Sequence, residues 1–227
     1  MVDRASVSPS SVRRAVFLDR DGVINRMFYH SEFGILDSPA NPAQFELLPR
    51  IGEAIAELNS LGLLAIVVSN QPGIAKGKFT PALLDAMERK MVSGIETGGG
   101  KLDAVYNCLH HPEAALQEYR VRCECRKPEP GLLLEAASEW NIDLSGSYMI
   151  GDGTTDIATG RAVSATTLFV NSRKCYNCDA LAEHEVWPDY LVSDLSEAAT
   201  VVQKLEAGDV DSVQPFELKC ATHEQGA

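Results

Sequence analysis

The chain has no apolar run approaching the roughly 20 residues of a membrane-spanning helix. It shows no secretory leader either. Met1 to Ala15 mixes Ser, Arg and one Pro and carries no apolar h-region. These two absences predict a cytoplasmic protein with no membrane partner, whose thiols stay reduced. Positive charge is also scarce. Lys plus Arg number 20 against 32 Asp plus Glu, a formal net charge of −12 at pH 7. That balance argues against a nucleic-acid binder that works by neutralising phosphates. It leaves room for a small anionic substrate, because a few local cations can hold one phosphate. There is no internal repeat, and the only low-complexity run is Gly98 to Gly100.

What is present is globular in composition. Hydrophobic residues make up 45% of the 227 and charged residues 23%. A chain of this length buries a full core without a disulfide scaffold. Its six cysteines, Cys108, Cys123, Cys125, Cys175, Cys178 and Cys220, therefore point to metal or redox chemistry before disulfides.

Strand and helix patterns alternate. Short apolar runs predict strands over 15–18, 63–68, 104–107, 147–150, 167–170 and 190–192. Apolar residues near 3.6 spacing predict a helix over 47–61, stopped by Gly62. Thr80 and Pro81 read as the cap and first residue of a helix reaching about Gly94. Further helices are predicted over 130–140, 155–163 and 195–205. Repeated βα units imply an α/β fold with a doubly wound parallel sheet. The expected organisation is a flexible N-terminus over 1–13, one domain over 14–206 and a polar tail over 207–227. Two long insertions, 28–49 and 108–130, interrupt the pattern. Neither reaches the roughly 50 residues of an independent cap domain.

Ligands of open α/β sheets sit beyond the carboxyl ends of the strands, so the residues there matter most. Asp19-Arg20-Asp21-Gly22 follows the first strand. Two carboxylates two apart on extended chain point the same way, and they repel unless a cation or shared proton intervenes. Two solvated turn acids would be the ordinary reading, but the buried strand before them weighs against it. Ser69-Asn70-Gln71 follows the second long strand and offers a hydroxyl and backbone N–H groups to a phosphate. Arg126 and Lys127 precede a helix and suit phosphate as a fork and a point charge. Gly151-Asp152-Gly153-Thr154-Thr155-Asp156 ends the later strand. Its acids either cap the next helix or complete an oxygen-ligand site for a hard cation such as Mg²⁺.

Taken together, the order and placement of these pieces resemble the haloacid dehalogenase superfamily of aspartate-nucleophile phosphohydrolases. The resemblance lies in Phe17 to Asn25, Val67 to Gln71, Arg126 to Pro128 and Met149 to Asp156. It implies a Rossmann-like core, here without a large cap domain. It also implies that Asp19 is the nucleophile, forming an aspartyl-phosphate, and Asp21 the general acid and base. Mg²⁺ would be held by Asp19, Asp21 (through its backbone carbonyl) and Asp152. Ser69 and Lys127 would hold the transferring oxygens, and Arg20, Asn70, Gln71 and Arg126 would bind substrate.

A second cluster narrows the resemblance. Cys108-Leu109-His110, then twelve residues, then Cys123-Glu124-Cys125 supplies three sulfurs and one imidazole. Such a zinc loop, over 108–125, can wrap a tetrahedral Zn²⁺ with no open coordination position, hence a structural metal. His111 competes with His110, which is preferred only for its symmetric spacing. Followed at once by Arg126-Lys127-Pro128, the loop is similar to that of the superfamily branch holding heptose bisphosphate and histidinol-phosphate phosphatases. The branch implies a small phosphorylated metabolite as partner, best a sugar bisphosphate of the heptose type. Histidinol phosphate is the near alternative. A DNA 3′-phosphatase and a non-enzymatic zinc-binding interaction module are more distant ones. The expected state is a monomer or small homo-oligomer. Four features depart from the branch: the segment over 27–44, Gly153 where many relatives carry a cation, Ser69 where many have Thr, and extra sequence after Asn171. Cys175 and Cys178, with His184 and Cys220 further on, suggest either a second metal site or ordinary loop cysteines.

Overall fold

A computed structural model describes residues 12–170 and 177–216. Six strands form one parallel sheet: β1 (Ala15–Leu18), β4 (Leu64–Asn70), β5 (Ala104–Cys108), β6 (Tyr148–Gly151), β7 (Thr166–Val170) and β8 (Tyr190–Val192). Their spatial order is β5-β4-β1-β6-β7-β8. The chain thus winds outward from β1 to β5, then returns to β6 on the other side of β1. The crevice between β1 and β6 is the topological switch point. Register there pairs Leu18 with Ile150 on one side and with Val67 on the other. Asp19, Ser69 and Asp152 therefore emerge at one carboxyl edge.

The sheet is buried on both faces, which is why β1 and β4 read as unbroken apolar runs. Val16, Leu18, Ala65 and Val67 pack one way, with α1 (Ile51–Ser60), α2 (Pro81–Thr97) and α6 (Leu195–Glu206). Ala15, Phe17, Leu64, Ile66 and Val68 pack the other way, with α3 (Gly131–Trp140). On that returning half, α4 (Thr154–Ala162) sends Ile157 against Phe169 and against Leu181 of α5 (Asn177–Glu183). Thr80 caps α2 as expected, its side chain accepting from the Leu83 N–H.

One expectation is corrected. The helix predicted over 47–61 begins only at Ile51. Pro49 disfavours helical backbone before it, and Arg50 takes φ 60°, which interrupts the turn. The insertion over 28–49 is not all loop. It contains a two-stranded antiparallel hairpin, β2 (Phe28–His30) and β3 (Ile35–Asp37). Lys90 of α2 pins its return arm by donating to the carbonyls of Pro42 and Phe45. The tail is held as far as Phe216, which stacks on Trp187 and donates its N–H to the Asp189 carbonyl. At the other end Arg13 is also tied, donating its N–H to the Asn141 carbonyl and lying over the Trp140 ring. Cys175, Cys220 and the side chain of Cys178 fall outside the described residues. Among the described residues no helix is long and apolar enough to cross a membrane.

Candidate active site

Asp19 leaves β1 with its N–H donated to the Ile150 carbonyl of β6, so its place is fixed by the sheet. Its carboxylate meets the Lys127 ammonium at 2.8 Å. Lys127 is 3% exposed. It also bonds the Val68 carbonyl at 2.8 Å and pairs with Asp156 at 2.5 Å. Burial works against the charge of Lys127, but Asp156 and Asp19 outweigh it and hold the ammonium above its ordinary value. Burial pushes the Asp19 carboxyl up to about 6. Lys127 opposes that rise, while Asp156 and Asp21 add to it.

The loop carrying Lys127 is not part of the sheet. Asn70, at the end of β4, grips it from both sides: its amide donates to the Lys127 carbonyl and accepts from the Lys127 N–H, each at 3.0 Å. The Asn70 amide thus anchors the peptide that carries the cation.

Carboxylate oxygens of Asp19, Asp152 and Asp156 lie within 4.8 Å of one another. Asp156 is committed within this group. One oxygen pairs with Lys127, and the other accepts from the Gly153 N–H at 2.9 Å at the start of α4. Asp19 and Asp152 are the other two carboxylates of the group. Gly22 makes their approach feasible. A Cβ there would stand 2.3 Å from the Asp152 carboxylate, and the backbone φ is +93°, a conformation that favours glycine.

Asp21 is buried and heavily hydrogen bonded. Arg20 reaches its two oxygens at 3.1 and 3.0 Å through Nη2. Asn25 donates at 2.9 Å and Gln71 at 2.7 Å. Arg20 is fully buried, its guanidinium 5.8 Å from the centre of the Phe45 ring. Gln71 is 1% exposed and bonds Ser69 Oγ as well as Asp21. Arg20 and Gln71 are both buried and support Asp21 in this structure. No pattern in the sequence distinguishes a buried Arg beside Asp from an exposed one. Arg126 is half-buried and donates to the His110 carbonyl at 3.3 Å. It stays at the rim.

The thiol cluster forms as the spacing suggested. Sulfurs of Cys108, Cys123 and Cys125 lie 3.2 to 3.5 Å apart, and His110 Nδ1 lies 3.3 Å from Cys125 Sγ. A tetrahedron with metal–sulfur bonds of about 2.3 Å has sulfur–sulfur edges of about 3.8 Å. A small expansion would therefore admit an ion. The cluster can hold a metal ion. Burial raises all three thiols, yet hydrogen bonds from Cys125 and Cys108 bring Cys123 below its ordinary value. The open choice of imidazole is also answered: His111 accepts from the Glu113 N–H and takes no part in the cluster. The loop closes onto α3 through Gly131, whose N–H bonds the Glu124 carbonyl. A Cβ on Gly131 would meet that carbonyl oxygen at 2.3 Å.

A parallel sheet of this order, with an acid pair after β1 and a buried lysine and further acids at the same edge, is the core of a haloacid dehalogenase-type hydrolase. A HAD-hydrolase-like family model matches residues 124–198. The chain is 35% identical over 191 residues to the D-glycero-beta-D-manno-heptose-1,7-bisphosphate 7-phosphatase of Salmonella typhi, covering 84% of this chain and 95% of that protein. It is 38% identical over 150 residues to the enzyme of that name from Rhodopseudomonas palustris, covering 66% of this chain and 79% of that one. The crystal structure of D,D-heptose 1,7-bisphosphate phosphatase from B. bronchiseptica, complexed with magnesium and phosphate, superposes with a TM-score of 0.69. The identity is 28%, and coverage is 85% of this chain and 99% of that one. The chain belongs to this family of heptose bisphosphate phosphatases and is a phosphatase of the haloacid dehalogenase type without a large cap.

Proposed function

We propose that this protein is a magnesium-dependent phosphomonoesterase that removes the 7-phosphate from D-glycero-D-manno-heptose 1,7-bisphosphate. The observation that carries the reading is the 2.8 Å contact between the Asp19 carboxylate and the buried Lys127 ammonium, at the carboxyl edge beside Asp152. A carboxylate nucleophile needs a fixed cation where charge gathers on the attacked phosphoryl group.

In this reading an Asp19 oxygen attacks phosphorus as the bond from phosphorus to the sugar oxygen breaks. Asp21 gives its proton to that leaving oxygen. Asp21 then takes a proton from the water that attacks the aspartyl-phosphate, releasing phosphate and restoring Asp19. Ser69 and Lys127 hold the transferring oxygens. The hard oxygen donors of Asp19, Asp152 and the Asp21 carbonyl suit Mg²⁺, which offsets the repulsion between two anions when bound. Zn²⁺ in the Cys108, His110, Cys123 and Cys125 cluster would be structural, since four protein ligands fill its shell.

The charge at the rim supports a bisphosphate. His111 is held below its ordinary value by burial, then by Lys76 and Arg126. Lys76 and Arg126 are thus two cations near a His111 held toward its neutral form, and Lys76 has no ion-pair partner among the described residues. Such a rim suits a second phosphate and disfavours the cationic imidazole and amine of histidinol phosphate.

The test is phosphate release in Mg²⁺ from the heptose bisphosphate, from other sugar phosphates and from histidinol phosphate. The bisphosphate should be turned over fastest, and Asp19→Asn should abolish release. Release that survives Asp19→Asn rejects the mechanism; a preference for histidinol phosphate rejects the substrate.

A further inference from the structure

Gln71 is a buried amide with two partners from different parts of the site. Its Nε2 donates to Asp21 Oδ2 at 2.7 Å and to Ser69 Oγ at 2.9 Å. Once Asp21 has given up its proton its carboxylate only accepts hydrogen bonds, and the amide nitrogen serves it as the donor. Both N–H groups are then used. The bond to Ser69 also has a consequence. A hydroxyl carries one hydrogen and two lone pairs. With one lone pair occupied by Gln71, the Ser69 hydrogen is left to point elsewhere, which includes the Asp19 side where a phosphoryl oxygen would lie.

We infer that Gln71 is a positioning residue that sets the angle at which Asp21 hands its proton to the leaving oxygen. This rests on the reading of Asp21 as general acid. Asp21 Oδ1 already receives Arg20 and Asn25, and Oδ2 receives Arg20 and Gln71. Arg20 sits behind the carboxylate, sealed from solvent against Phe45. Gln71 holds the other edge. Between them the carboxylate plane is clamped, and only the directions not occupied by these donors remain open toward substrate. When the bond from phosphorus to oxygen breaks and the new bond from Asp19 to phosphorus forms, the proton on Asp21 must already lie near the leaving oxygen. Without Gln71, Oδ2 keeps only its bond from Arg20, the clamp on that edge is weakened and the alignment loosens.

The inference has a readout that a packing role would not produce. A sugar alkoxide is a poor leaving group and depends on the proton. A 4-nitrophenolate leaves without one. Gln71→Leu, measured in Mg²⁺ by kcat/KM, should lose about 100-fold on a sugar phosphate, and at least about tenfold less on 4-nitrophenyl phosphate. Gln71→Met, closer in length and flexibility, should show the same gap and serves if the Leu variant folds poorly. Asp21→Asn is the reference and should show the widest gap. If Asp21→Asn loses equally on both substrates, the general-acid reading falls and the inference falls with it. If Asp21→Asn shows the gap but both Gln71 variants lose equally on both substrates, or lose nothing, the inference alone is overturned.

Discussion

Gly22→Ala separates the cation site from the stability of the fold. The new methyl carbon would stand 2.3 Å from one Asp152 oxygen and 2.7 Å from its carboxyl carbon. Ordinary van der Waals contact begins at 3.4 Å, so the Asp152 carboxylate must retreat by roughly 1 Å. The backbone at φ +93° adds strain of about 1–2 kcal/mol. For a chain of this size that lowers Tm by about 2–8 °C. Disturbing a ligand's support commonly weakens metal binding by about 10–100-fold, so the Mg²⁺ concentration for half-maximal phosphate release should rise by that factor. Gly34→Ala is the control. It shares a positive φ, +66°, but has nothing within 4 Å of the new carbon. Calorimetric titration with Mg²⁺ and thermal melts on both variants give the answer. If Gly22→Ala melts lower yet binds Mg²⁺ as tightly as the parent, Asp152 is not a cation ligand.

Two further outcomes follow from other parts of the molecule. Removing a metal from the thiol cluster with a chelator, or changing Cys125→Ser, should lower Tm and loosen the loop over 108–125, because a structural site contributes folding energy. Hydrogen exchange in that loop checks it, and loss of the chemical step with the loop still protected would argue against a purely structural metal. Glu206, at the end of α6, binds the Arg14 guanidinium at 2.7 and 2.5 Å and accepts from the Tyr148 hydroxyl at 2.7 Å. Burial opposes its charge, but these partners win and hold its pKa below the ordinary value. Glu206→Gln should therefore cost about 1 kcal/mol near pH 7, a modest figure because Arg14 is 43% exposed. A group with a lowered folded pKa stabilises above its unfolded value, about 4.3, and loses that contribution as pH falls through the folded one. The gap between parent and variant in urea melts should close in that acid range, and a gap that widens there would contradict the assignment.

Much of this arrangement is legible before any coordinates. The strands buried on both faces announce themselves as Ala15 to Leu18 and Leu63 to Val68, and the chemistry-bearing residues follow directly after them. The cysteine spacing anticipates the thiol cluster. What escapes is decided by tertiary contact. The hairpin strands Phe28–His30 and Ile35–Asp37 are three residues each and largely exposed, too short for a period-2 pattern to show. The start of α1 depends on a left-handed residue at Arg50, which carries no sequence signal of its own. Arg20, Asn70 and Gln71 are polar residues beside a phosphate site, so a substrate contact is the natural expectation. Only the fold reveals that their partners are Asp21 and the Lys127 peptide. The choice between His110 and His111 turned on a one-residue step that spacing alone decides weakly, and backbone direction decides fully.

The acids of the catalytic edge and its lysine rest on separate mountings. Asp19 and Asp152 directly follow the central strands β1 and β6, the last parts of such a sheet to give way. Lys127 belongs to a loop secured by Asn70 and by the thiol cluster that begins two residues upstream at Cys125. A protein stripped of that loop's order would keep a binding seat for a divalent cation while having no fixed ammonium to steady the attacked group. Cation occupancy and turnover are therefore separable quantities in this molecule, and a fully loaded sample can be an idle one.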